Sequence, residues 1–91
     1  MLQIIWNREA ENDLAEIVEY LGNRNPGAAF DLVREIKKRI ARLPRTPYLY
    51  RVGRVAGTRE LVVHQNYIVV YQVTSHSIKI LSVLHARKQF L

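Results

Sequence analysis

The chain has 91 residues, 48% hydrophobic and 24% charged, which is the usage of one compact domain over 1–91 and too apolar for a disordered segment. It has no cysteine, which excludes disulfide frameworks, thiolate metal centres and thiol catalysis. Its net charge of +6 is lopsided: residues 1–43 hold seven acids and seven bases, whereas after them Glu60 stands alone against Arg45, Arg51, Arg54, Arg59, Lys79, Arg87 and Lys88.

Leu2 to Trp6 is a short apolar run of strand-favouring residues, and Asn7 behind it can cap a helix by accepting a backbone N–H. From Glu9 to Leu21, the residues Ala10, Leu14, Ile17, Val18 and Leu21 fall on one stripe of a 3.6-residue period, and Gly22 offers a left-handed stop. Asn25-Pro26 is a second start signal, with Asn as cap and Pro in the first turn. Ala29, Leu32, Val33, Ile36, Ile40 and Leu43 make the next stripe, and Pro44 ends it. With Asn23, Arg24 and Asn25 between them, the two helices should fold back as an antiparallel hairpin. The opposite face of the second helix carries Asp31, Arg34, Glu35, Lys38, Arg39 and Arg42, a solvated pattern with Glu35 four residues before Arg39.

Residues 44–57, with two prolines and two glycines, read as a loop whose Tyr48, Leu49 and Tyr50 cover an end of the core. After Thr58 the period changes to two, giving strands over Arg59–Val63, Tyr67–Val73 and Ile78–His85 joined by short polar turns. The expected fold is α+β in the order β-α-α-β-β-β, with the first strand and the helical hairpin packed on one face of an antiparallel meander. Pairing Val63 with Tyr67 and Val73 with Ile78 sorts the side chains. Arg59, Leu61, Val63, Tyr67, Val69, Tyr71, Val73, Ile78, Ile80, Ser82 and Leu84 should meet the helices. Glu60, Val62, His64, Ile68, Val70, Gln72, Lys79, Leu81, Val83, His85 and Arg87 should form an open face with an apolar middle.

The cationic second half reads as a footprint for something acidic, nucleic acid or protein. The longest apolar run, near Tyr67 to Tyr71, is far below the ~18–20 residues that span a bilayer, so no membrane partner is expected. His64 and His85 would lie two strands apart with no third ligand, so no metal is expected. No phosphate-binding loop and no Ser-His-Asp pattern is present, and the acids sit on helix faces. His85 beside Arg87 is the one pairing suited to proton transfer near neutral pH.

Three stretches carry a family likeness: Pro47-Tyr-Leu-Tyr50, Gly57-Thr-Arg-Glu-Leu-Val-Val-His-Gln-Asn-Tyr-Ile-Val-Val-Tyr71, and Ile80-Leu-Ser-Val-Leu-His-Ala-Arg-Lys-Gln-Phe90. With the N-terminal Ile4-Ile-Trp6 they resemble the RelE/ParE toxins of type II toxin–antitoxin systems, most of all the ParE branch. The resemblance implies a cytoplasmic growth inhibitor without cofactor, neutralised by an acidic antitoxin encoded nearby and reaching DNA only through the antitoxin complex. ParE-like members poison DNA gyrase; RelE-like members enter the ribosome and cut mRNA without metal. Ribonuclease members commonly carry Arg where Ile68 follows Tyr67, and Tyr where Phe90 stands. The expectation is therefore a binder with no catalytic residue; a ribonuclease would have to use His85, Arg87, Arg59 and Arg54. The target would be met by His85, Arg87, Lys88, Phe90, Ile68 and Arg59, and the antitoxin by Leu81, Val83, Val70, Arg34 and Lys38.

Overall fold

Asn7 and Asn25 set the helix boundaries. In the computed structural model, which describes residues 1–64 and 66–86, β1 (Gln3–Trp6) leads into α1 (Arg8–Arg24) and α2 (Pro26–Ala41). Asn7 Oδ1 accepts the Ala10 N–H at 2.9 Å, and Asn25 Oδ1 accepts that of Ala28 at 3.1 Å. Asn25 also closes α1 by donating its N–H to Leu21 O at 2.7 Å, so one residue serves both helices. Gly22, expected as the stop, is an ordinary helical residue inside α1. The helix outruns it because Asn25 completes the last turn three residues later.

The strands follow as β2 (Arg51–Val52), β3 (Arg59–Val63), β4 (Tyr67–Val73) and β5 (Ser77–His85), in the spatial order β1-β5-β4-β3-β2. Two helices on a five-stranded mixed sheet bear out the α+β class. β1 enters the sheet as an edge strand parallel to β5, Gln3 opposite Ser77 and Trp6 opposite Ile80, instead of packing on its face. β2, read as loop, is a short strand antiparallel to β3. Two residues carry too little alternation to show in a sequence pattern.

The core forms where the helix stripes meet the sheet: Ala10, Leu32, Ile36, Ile40 and Leu43 against Leu61, Val63, Val69, Tyr71, Ile78, Ile80 and Val83. Each fully buried Leu, Ile or Val contributes roughly 1.5–3 kcal/mol before entropy is counted.

Both hairpin registers are as expected, with Val63 opposite Tyr67 and Val73 opposite Ile78. Between them lies a β-bulge: Tyr71 pairs with Ile80 but Val70 with Ser82, leaving Leu81 as the extra residue. Beyond it every β5 side chain changes sides. Val83 turns into the core instead of the open face, and Ser82 and Leu84 leave the helix side. His85 likewise comes opposite Tyr67 on the helix side. No glycine or proline marks the bulge in the sequence.

The open face differs from expectation too. Ile68 points there, but it is 2% exposed, and Val70 and Ser82 beside it are buried. As the central strand, β4 has neighbours on both sides; Ile68 lies in register between Val62 and Leu84.

Candidate functional site

Chemistry-bearing residues gather in two regions. The first is the segment from Pro47 to Arg59, the arm before β3. Gly53 N–H donates to Thr58 O at 2.8 Å, and Thr58 Oγ1 donates to Val55 O at 2.6 Å. A side chain on Gly53 would collide with Thr58 Oγ1, so the arm closes only around glycine. Gly57, at φ +82°, turns the chain into β3. Tyr71 fixes the start of the arm by donating its hydroxyl to Pro47 O at 2.7 Å. Burial pushes the Tyr71 phenol up to about 12, a rise that the Arg59 charge opposes and Tyr50 reinforces.

Arg59 and Glu60 hold the rest. Arg59 Nη1 donates to Tyr48 O at 3.1 Å and to Tyr50 O at 2.8 Å, while its guanidinium lies 4.9 Å from the Tyr48 ring centroid. Glu60, 4% exposed, accepts from Arg51 Nε at 2.9 Å and Nη2 at 2.8 Å. Its other oxygen accepts the Arg54 N–H at 3.3 Å. The one acid of the second half is thus consumed internally. Tyr50 packs against the core, but Tyr48 and Leu49 stand in solvent rather than covering its end.

The second region is an open groove between α2 and the β3–β4 turn, lined by Leu32, Asp31, Glu35, Arg39, His64 and Tyr67. His64 adopts φ 64°, a left-handed conformation in which histidine is among the less strained side chains. The turn swings it off the open face and into the groove. Glu35 and Arg39 form the expected pair, at 3.9 Å. Tyr67 meets His85 edge-to-face with ring centroids 5.1 Å apart, and its phenol is raised, chiefly by burial and secondarily by Tyr20. The two histidines therefore do share a side of the sheet, but the helix side.

Arg59 and Arg54 belong to the arm; His85 belongs to the other region. Ile68 and Val70 are buried on the open face, Val83 is in the core, and Leu81 is half-buried at the bulge. Arg34 and Lys38 are exposed on α2, Arg34 with its guanidinium 5.7 Å from the Phe30 ring centroid. Arg87, Lys88 and Phe90 lie outside the described residues. Among those described, no group of three or more His, Asp or Glu side chains converges as a metal site, and no helix is long and apolar enough to cross a membrane.

Sequence reasoning missed the Glu60–Arg51 clamp and the role of Asp13. Read as a solvated helix acid, Asp13 accepts the Val83 N–H at 3.0 Å. β1 ends opposite Ile80, so at Val83 the outer edge of β5 meets α1 instead of a strand.

The family model described as the ParE toxin of the type II toxin–antitoxin system parDE matches residues 4–90. The chain belongs to the ParE toxin family. Y4kP of Sinorhizobium fredii, named as a toxin, is 36% identical over 89 residues, spanning 97% of this chain and 92% of its own length. A protein named toxin RelE2, from Caulobacter vibrioides, is 32% identical over 88 residues, covering 97% and 99%. Among solved structures, a chain of the chromosomal ParDE system of P. aeruginosa superimposes with a TM-score of 0.84 at 24% identity, covering 93% of this chain and 96% of that one. Membership makes this ParE-family chain the toxin component of a type II system.

Proposed function

We infer that this toxin acts by binding: it docks on DNA gyrase and traps the state in which the enzyme has cleaved DNA, performing no bond-breaking step itself. A cognate acidic antitoxin neutralises it in the cytoplasm, meeting the exposed Arg34 and Lys38 of α2. The observation that carries the reading is the dispersal, among the described residues, of the groups that RNA cleavage would need. Metal-independent cleavage requires a proton carrier and several cations around one phosphate. Arg59 is opposite Tyr71 and His85 opposite Tyr67. Those positions are four steps apart along β4, about 13 Å at ~3.3 Å per residue. The Arg59 guanidinium already donates to two carbonyls. His85 packs on Tyr67, whose groove also carries Asp31, Glu35 and Arg39; Arg39 pairs with Glu35, and Asp31 repels a phosphate. Ile68 supplies no cation.

A second reading, ribosome-dependent mRNA cleavage, rests on the likeness to the protein named RelE2. Purified gyrase, plasmid and ATP test the first. The expected result is linear DNA with covalently attached gyrase on denaturation, rising with toxin concentration. Unchanged gyrase at concentrations that arrest growth would reject it.

A further inference from the structure

Exposed large apolar side chains cluster on the arm: Tyr48, Leu49, Val52 and Val55 are each 64–69% exposed within eight residues. Around them Arg45, Arg51 and Arg54 are exposed, and the arm's one acid, Glu60, is buried and paired with Arg51, which leaves the arm with a cationic excess. A patch of this kind on a flexible loop would mean little. Here it is fixed from beneath by Tyr71 on Pro47, Arg59 on Tyr48 and Tyr50, Glu60 on Arg51 and Arg54, and Thr58 on Val55. Buried groups, one of them a carboxylate, are committed to holding apolar side chains in water. Such an arrangement favours binding, because the ordering that a docking loop normally undergoes is already complete.

We propose that the arm is the surface by which this toxin grips its target, an acidic and apolar face of a folded protein. The proposal rests on the reading of the chain as a toxin that acts by docking. Charge selects an acidic partner. Three aliphatic side chains among the four argue for protein over nucleic acid, which would want stacking rings. A second copy would bring Arg45, Arg51 and Arg54 against themselves across a two-fold axis, and a two-residue edge strand offers little backbone to pair with. An antitoxin segment that folds as it binds adapts its own shape and needs no preformed arm; docking on a rigid enzyme does need one.

The test uses the whole chain carrying Leu49→Asp and Val52→Asp, expressed from an inducible promoter with and without the product of the reading frame abutting its own. Both positions are exposed, so the fold should persist, which circular dichroism checks. Should the pair melt early, Val52→Ser alone supplies the same comparison. Growth inhibition should weaken about 100-fold, roughly tenfold for each lost anchor, while the abutting-frame product still co-purifies with the variant. Undiminished toxicity would overturn the proposal, as would a variant that stays toxic but escapes neutralisation. So would loss of oligo-dT binding in the variant, which would make the partner nucleic acid, or wild-type dimers that the substitutions dissociate. A wild-type chain that arrests growth yet leaves purified gyrase untouched rejects the gyrase reading alone, and the growth comparison still decides the arm.

Discussion

Asp13 supplies what a missing strand would have supplied. Its carboxylate accepts the Val83 N–H at the point where β5 outruns β1, pinning α1 to the sheet. Asp13→Ala leaves that donor unsatisfied and should cost about 1–3 kcal/mol in urea unfolding. Asp13→Asn, which keeps an acceptor oxygen, should cost clearly less. Tyr71 makes a comparable tie to Pro47. Because its phenol ionises near 10 in the unfolded chain and at about 12 in the folded one, its contribution is complete below pH 10 and is lost as pH climbs toward 12. Thermal melts should fall steeply across that window in the wild type and less steeply in Tyr71→Phe, which should also lose about 1 kcal/mol at neutral pH. Neither contact was legible in the sequence. Asp13 and Val83 are 70 positions apart, and their meeting depends on the bulge.

At the scale of elements, periodicity and caps did most of the work. Asn7, Asn25 and Pro26 marked where helices start, and alternation after Thr58 located three strands and both hairpin registers. The helix stop at Gly22 failed because a cap three residues on was available to the same helix. That failure has a measurable corollary. A side-chain carbon at Gly22, in the last turn of α1, would lie 3.9 Å from Ala29 Cβ of α2, ordinary van der Waals contact between the helices. Gly22→Ala should therefore raise stability by about 0.5–1 kcal/mol, seen as a higher denaturation midpoint at unchanged slope. The bulge at Leu81 was the costlier omission. One unpaired residue moved Val83 and His85 from the expected open face to the helix side; Arg87, the expected neighbour of His85, lies outside the described residues.

Across the whole molecule, the charge asymmetry read from the sequence acquires a shape. Arg45, Arg51 and Arg54 line an arm whose apolar residues face solvent, and its one acid, Glu60, is folded inward against Arg51. His85 and Tyr67 sit at the other end of β4, next to a groove that carries two carboxylates. Among the described residues, Arg59 and Arg54 of the arm are thus kept apart from His85 and Tyr67, an arrangement suited to gripping a macromolecule and ill suited to cutting one. Primer extension on programmed ribosomes incubated with the purified chain tests this most directly. Full-length transcripts with no cut at the A-site codon are expected, even at toxin in excess over ribosomes. Ribosome-dependent cleavage within that codon would contradict action by binding alone.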